Sequence, residues 1–327
     1  MSPVRLATIG TSWITTQFAD AVARVPGVEL AVAYSRDPDR AAAFAAQIGA
    51  AGSSADLPGL LASGELDAVY VASPNSAHFD HALAAIRAGK HVLVEKPATP
   101  TAAEFATLVA EARAAGVVLL EAMRSAHDPG MARVRELVDE VGPVRRVSLR
   151  YSQRSSRYDL VLAGERVNIF DPAMAGGALN DLGVYCVSAL VGLFGEPERV
   201  VAATVPVSGG ADGAGAALAS YPGFAADLSW SKITASDVPS EVQGELGTLL
   251  IDQIAAPRLL ELHRLDGSEV ESVVDAPAFD LSPELRAFAS LCAGEGDASA
   301  DHERTLATLR TIEAIRVAAG TPGRGPR

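Results

Sequence analysis

From Pro3 to Ala122 the chain alternates short β-branched runs with alanine-rich stretches, separated by Gly, Ser or Pro breaks. The runs at 4–9, 28–35, 67–72, 91–95 and 117–121 are nearly continuously apolar, as strands buried on both faces must be. Between them, 14–25, 39–48, 77–88 and 101–115 have helical spacing. Gly89 and Gly116 stand where C-terminal caps belong, and Thr101 with Glu104 makes a capping box. Strand and helix in strict repetition predict an α/β fold, with a Rossmann-type doubly wound parallel sheet over 1–122.

After Ala122 the rhythm changes. A helix at 129–140 precedes an alternating strand at 144–151, and an apolar helix is expected at 178–194. Strand-like runs follow without intervening helices at 199–207, 216–221, 224–232, 238–243, 248–252 and 259–265, and helices at 282–293 and 301–319 close the chain. Consecutive strands predict a C-terminal α+β domain over 123–319 with a mostly antiparallel open sheet. The tail 320–327 reads as disordered.

Lys and Arg number 27 against 40 Asp and Glu, a net charge of −13 that repels both a phosphate backbone and an anionic membrane. No nucleic-acid or membrane partner is expected. The two cysteines, Cys186 and Cys292, form no Cys-x-x-Cys pair, and the N-terminus lacks the basic and apolar regions of a secretory signal. A cytoplasmic location is expected. The apolar stretch 184–194 falls short of the roughly 20 residues that span a bilayer.

The first strand ends at Gly10-Thr11-Ser12-Trp13-Ile14, directly before a helix. Gly10 permits a tight turn, Ser12 is small enough for a pyrophosphate to approach, and the helix N-terminus offers oriented N–H groups. The same residues also suit an ordinary N-cap. At the end of the second strand, where NAD sites place a carboxylate, stand Ser35 and Arg36, with Arg40 one turn further on. A cation with a hydroxyl suits a 2′-phosphate, which predicts NADP, with NAD as second choice; the alternative is a solvated surface arginine. Ser73-Pro74-Asn75 and Glu95-Lys96-Pro97 end the next two strands, at the edge where open α/β sheets bind ligands. Lys96 is the odd residue there, following Val92, Leu93 and Val94 closely, and its alternative is a lysine snorkelling off a strand end.

Three stretches taken together resemble the Gfo/Idh/MocA oxidoreductases over nearly the whole chain. They are Ser73-Pro74-Asn75 with His78 and the Ala88-Gly89-Lys90-His91-Val92 run, then Glu95-Lys96-Pro97, then Gly176-Gly177 through Asp181, Gly183 and Tyr185. The resemblance implies a Rossmann domain followed by a mostly antiparallel domain whose open sheet mediates oligomer contacts, hence a homodimer or homotetramer. It places the family's catalytic lysine on Lys96 and its Asp and His or Tyr on Asp181 and Tyr185, with Glu95 and His78 beside the cofactor. Tyr in place of the commoner His resembles the branch of dihydrodiol and xylose dehydrogenases. Gly10 to Thr15, Ser155 to Asp159 and Gly183 to Cys186 are similar to NADP-dependent scyllo-inositol dehydrogenases. The implied reaction is hydride transfer between a nicotinamide cofactor and a secondary alcohol of a cyclic polyol, sugar or diol, inositol-like substrates favoured, with no metal.

Four residues apart on one expected helix, Asp181 and Tyr185 share a face. Oxidising an alcohol requires a base for the hydroxyl proton, and Tyr185 or Lys96 can take it while Asp181 orients the hydroxyl or Lys96. A tyrosine filling the inner helix face is the alternative for Tyr185. Arg154, Arg157, Tyr158 and Asn168 precede that helix in polar stretches and are expected to line the substrate pocket, or else to form surface loop. Trp13 and Trp230 read more as core than as function. His78 and His81 stand three apart without a third ligand, so capping or helix-surface roles outweigh a metal site. The rival functions on this fold are a non-catalytic dinucleotide-sensing regulator and a redox-assisted hydrolase that keeps its NAD bound.

Overall fold

The structure is a computed structural model that describes residues 3–320. Contacts divide the chain into two compact units, residues up to 123 with 280–306, and 124–279 with 307 onward.

The first unit runs β1 (Val4–Ile9), α1 (Trp13–Val22), β2 (Val28–Tyr34), α2 (Pro38–Ile48), β3 (Gly52–Ser54), α3 (Leu57–Ala62), β4 (Ala68–Val71), α4 (His78–Arg87), β5 (His91–Glu95), α5 (Ala102–Ala115) and β6 (Leu119–Ala122). Its six strands lie in the order β3-β2-β1-β4-β5-β6 and every pair is parallel. β4, a run of four buried residues, carries the continuous apolarity that two covered faces demand. The capping box forms as read: Thr101 Oγ1 accepts from the Glu104 amide at 3.2 Å, and the Glu104 carboxylate accepts from the Thr101 amide at 3.1 Å. Gly116 ends α5 at φ 67°, a backbone region that costs glycine little. The sheet has one strand more than the sequence pattern showed. β3, Gly-Ser-Ser, has no apolar run to announce it and exists through its parallel pairing with the end of β2.

The second unit runs α6 (Arg124–His127), α7 (Pro129–Val138), β7 (Val144–Ser152), α8 (Tyr158–Leu162), a π-helical turn (Leu179–Gly183), α9 (Val184–Phe194), β8 (Arg199–Pro206), β9 (Asp212–Tyr221), β10 (Phe224–Ser231), β11 (Ser240–Gly244), β12 (Gly247–Ile251), β13 (Leu259–Arg264) and β14 (Glu269–Val273). The sheet order is β14-β13-β12-β11-β7-β10-β9-β8, antiparallel throughout except for the parallel pair β7 and β10. α9, buried over Val184 to Val191, packs on β7 and β10 and fills the core with Trp230. The segment Pro172–Phe194 has the length and apolarity to cross a membrane, yet 78% of its apolar 18-residue window is buried inside the protein, as for a core helix. α10 (Ser282–Cys292) belongs to the first unit, and the division between the units falls inside α11 (Ser299–Ala318). Apart from Gly320, the tail expected at 320–327 lies outside the described residues.

Candidate active site

In the first unit the strand order reverses between β1 and β4, and ligands of open α/β sheets lie outside the carboxyl ends of such a pair. Gly10 stands at that point with φ 125°, and a Cβ there would overlap the Ala72 carbonyl oxygen. The glycine is required by the close approach of the two strand ends. Ser12 follows as the extended N-cap of α1; its side chain makes no capping hydrogen bond, and its carbonyl accepts from the Thr15 and Thr16 amides at 3.1 and 3.3 Å. A helix N-terminus carries the positive potential that favours an anion. Trp13 is 61% exposed beside them, whereas Trp230 is fully buried. Ile14 is half-buried one residue on.

At the end of β2 no side-chain carboxylate is presented where a ribose 2′-hydroxyl would seek one. The nearest, Asp37, caps α2 by accepting from the amides of Asp39 (3.0 Å) and Arg40 (3.1 Å). Its neighbours are cations and hydroxyls. Arg36 and Arg40 are exposed, Ser35 is half-buried, and Arg40 Nε donates to Thr11 Oγ1 at 2.7 Å, tying the β2 edge to the β1 loop. These residues fit a phosphorylated dinucleotide: a small-residue loop at a helix N-terminus, and a basic patch in place of an acid.

Beyond β4, Ser73, Pro74 and Asn75 lead into α4. His78 is buried, with Nε2 2.8 Å from the Ser73 carbonyl and Nδ1 2.9 Å from that of Pro97. Burial, with the nearby charge of Lys96, pushes its pKa down to about 4, so the ring is neutral and donates to one carbonyl only. His78 therefore lies between the β4 turn and the Lys96-Pro97 turn and is hydrogen-bonded to one of them. His81 Nδ1 lies 2.9 Å from Ser73 Oγ, and burial lowers its pKa as well.

Lys96 itself is half-buried, with a cis peptide bond to Pro97. Glu95 lies beneath it: the carboxylate accepts from Tyr70 Oη at 2.5 Å and from the Lys96 amide at 3.1 Å, and Tyr70 stacks on Phe18 of α1 at 3.7 Å. Burial raises the Glu95 pKa, against the pull of Tyr70 and Lys96. A second buried carboxylate, Glu121, accepts from the Ala98 amide (2.9 Å) and Thr305 Oγ1 (2.8 Å), and burial raises it too. Sequence reasoning missed Glu121, although a charged residue in the apolar run Leu119-Leu120-Glu121-Ala122 was a usable signal.

In the second unit the helix expected over 178–194 is not uniform. Asp181 sits in the π-helical turn, and Tyr185 in the first turn of α9. The cause is a clamp on the turn. The half-buried Asp212 accepts through its carboxylate from the Leu179 amide (2.7 Å) and Trp230 Nε1 (3.0 Å). Gly177, at φ 127°, leaves the space that a Cβ would contest with Asp212 Oδ1. Asn180 donates to the Ala175 carbonyl at 2.8 Å and accepts from Arg316. Asp181 is bonded to the ammonium of Lys232, which is 7% exposed at the end of β10. The ring of Tyr185 meets Tyr151 edge-on at 5.7 Å and carries the Arg124 guanidinium 5.2 Å from its centroid.

Of the residues expected in the substrate pocket, Arg154 and Tyr158 come together: Arg154 pairs with Asp159 (2.6 Å) and lies over the Tyr158 ring at 5.3 Å. Tyr158 in turn contacts Phe170 of the 3₁₀ turn Asn168–Phe170, with ring centroids 6.0 Å apart. Asn168 and Arg157 are exposed. Among the described residues no three His, Cys, Asp or Glu side chains cluster to hold a metal.

A doubly wound sheet with an anion-ready loop at its reversal point defines the first unit as a dinucleotide-binding domain. Family models agree along the chain. Residues 4–123 match the oxidoreductase family with NAD-binding Rossmann fold, and 131–250 match the GFO/IDH/MocA C-terminal domain. The chain belongs to the Gfo/Idh/MocA family of NAD(P)-dependent oxidoreductases. It is 39% identical to the scyllo-inositol 2-dehydrogenase (NADP(+)) IolU of Bacillus subtilis, the match covering 96% of each chain. It is 33% identical to a D-xylose 1-dehydrogenase (NADP(+)) of Haloferax volcanii, again over 96% of each. Among solved structures, a 3-ketoreductase from Actinomadura kijaniata in complex with NADP and TDP-benzene superposes with a TM-score of 0.85 at 27% identity, covering 97% of this chain and 98% of that one.

Proposed function

We propose that the protein is an NADP-dependent dehydrogenase acting on a secondary alcohol of a cyclic polyol or sugar, with inositol-like substrates favoured. The observation that carries the cofactor choice is the end of β2, where Ser35, Arg36 and Arg40 stand and Asp37, the first carboxylate after the strand, caps α2. An arginine edge attracts a 2′-phosphate that a carboxylate would repel. The substrate class rests on the similarity to relatives named for scyllo-inositol and xylose. Bound along Gly10 to Ile14, a nicotinamide dinucleotide supplies the hydride acceptor or donor.

Lys96 and Tyr185 are the proposed proton-handling groups, at Nζ and Oη, and Asp181 the acceptor that orients the reacting hydroxyl. Glu95 acts on Lys96 through the bond it accepts from the Lys96 amide, and His78 sits between the Ser73 and Pro97 carbonyls, donating to one of them. Arg154, Tyr158 and Asn168 are the proposed substrate contacts. Domains 1–122 and 123–319 take the cofactor and the substrate respectively, and a cytoplasmic homodimer or homotetramer is the proposed form.

The test is nicotinamide reduction, followed by absorbance, with NADP and NAD in parallel against scyllo-inositol, myo-inositol, xylose and glucose. NADPH formation on a polyol or sugar is expected. A preference for NAD would overturn the reading of Arg36. Tight NADPH binding with no turnover on any compound, and cell function that survives Lys96→Ala, would give the sensing regulator instead.

A further inference from the structure

We infer that Lys232 is a positioning residue for the reaction, acting through Asp181. The inference rests on the reading of Asp181 as the group that orients the reacting hydroxyl.

Lysine is among the residues least often buried, because its ammonium loses water that only a counter-charge and hydrogen bonds replace. The side chain of Lys232 is 8% exposed and its Nζ is bonded to Asp181 Oδ2. Asp181 keeps 25% of its side chain exposed, so the pair has a covered cationic end and an accessible anionic one. A purely structural ion pair would gain nothing from that asymmetry. A carboxylate that must meet a solvent-borne hydroxyl in one orientation does, since its second oxygen frame is fixed from behind.

The lysine is held in place on both sides. Its amide donates to the Gly213 carbonyl at 2.8 Å, at the start of β9, and its own carbonyl accepts from the Ser155 amide at 2.9 Å, in the loop that carries Arg154 and Tyr158. The turn that carries Asp181 is fixed separately, by Asp212 at Leu179 and by Arg316 at Asn180. With the backbone under Asp181 clamped and the backbone of Lys232 pinned between two elements, the remaining freedom is the torsion of the Asp181 carboxylate. Lys232 removes it. The same backbone bonds link the lysine to the proposed substrate loop, so a displaced Lys232 perturbs the hydroxyl-orienting group and the pocket wall together. Neither the Gly-Gly…Asp…Tyr stretch nor the Glu-Lys-Pro stretch contains this residue.

The test is a double-mutant cycle on the full-length enzyme, using Lys232→Met, Asp181→Asn and the pair, with kcat, KM for the polyol or sugar found to turn over, NADPH affinity by fluorescence titration, and thermal unfolding. Lys232→Met is expected to lower kcat roughly 100-fold, the scale set by a misplaced reacting group, with NADPH affinity within about twofold of the parent. In the Asp181→Asn background the same change is expected to lower kcat less than about threefold, because the group it acts on is gone. Equal losses in both backgrounds would overturn the inference and leave Lys232 a packing residue, as would a Lys232→Met enzyme with kcat intact. Should Met at this buried position prevent folding, Lys232→Gln keeps a donor without the charge and is read by the same cycle. A parent enzyme with no turnover on any polyol or sugar defeats the functional reading and this inference with it, whereas parental turnover with an additive cycle defeats the inference only.

Discussion

Beneath the Lys96-Pro97 turn of the first unit, the buried carboxylates Glu95 and Glu121 take their hydrogen bonds from neutral donors, the Tyr70 and Thr305 hydroxyls and the amides of Lys96 and Ala98. In the second unit Asp128 and Asp181 instead face cations that are themselves largely buried, Arg258 and Lys232. Neutral donors leave a desolvated acid costly to ionise, and burial raises both glutamates. A matched ion pair is stable as a pair but leaves a stranded charge when one member goes. The first arrangement responds to pH, the second to truncation.

The sharpest break of this contrast is Asp128→Ala. Arg258 grips Asp128 with two parallel bonds of 2.8 Å, and Asp128 also caps α7 through the Gly130 amide at 2.7 Å. Removing the carboxylate leaves a guanidinium that is 17% exposed with the Pro257, Ala276 and Pro277 carbonyls but without its counter-charge, so a loss of about 3–5 kcal/mol is expected in urea unfolding. A loss under about 1 kcal/mol, the size of an exposed pair, would show that the second unit does not depend on its buried pairs as described.

Arg36→Ala sharpens the first half of the comparison. Arg36 and Arg40 stand exposed at the end of β2. Removing Arg36 is expected to weaken NADP binding roughly tenfold to hundredfold while leaving NAD affinity nearly unchanged, as for a lost charge-assisted contact to the 2′-phosphate. Parallel titrations with the two dinucleotides decide it. Equal losses for both would assign Arg36 to the loop fold rather than to cofactor choice.

How much of this was legible depended on whether the cause was local. β1 and β5 occupy the expected residues because a buried parallel strand announces itself as an unbroken apolar run, and the Thr101–Glu104 box formed because both its bonds lie within one turn. β3 and β14 were invisible for the converse reason. Gly-Ser-Ser and the alternating, charged Glu269–Val273 become strands only through an edge partner. The parallel pairing of β10 with β7 is likewise a property of the assembled sheet. Within the candidate site, Lys96, Asp181 and Tyr185 could be singled out from short motifs. The π-helical form of the turn under Asp181 could not, since it depends on Asp212, more than thirty positions away. Lys232 reads in sequence as a polar residue ending an alternating strand, and only the packed structure reveals that its ammonium is covered.

The smallest expected effect is a slope, and it discriminates most finely between the two ways of burying a charge. Burial raises the Glu121 carboxyl above its ordinary 4.5, while the Ala98 amide and the Thr305 hydroxyl draw it part of the way back. An acid raised on folding keeps its proton in the folded chain at a pH where the unfolded chain has released it. The folded state then binds more protons, and stability falls as pH climbs from the unfolded value through the folded one. Glu121→Gln removes that titration while preserving the bonds, because the amide oxygen can accept from Ala98 and the amide nitrogen can donate to Thr305. The variant is therefore expected to gain stability over the parent at pH 8, and to gain less at pH 5, where the parent's Glu121 is closer to protonated in both states. Urea midpoints across that range measure it. Curves for parent and variant that run parallel would mean that Glu121 is ionised in the folded chain throughout, with Lys96 and Arg304 supplying enough charge to offset its burial, as Arg258 and Lys232 do for Asp128 and Asp181.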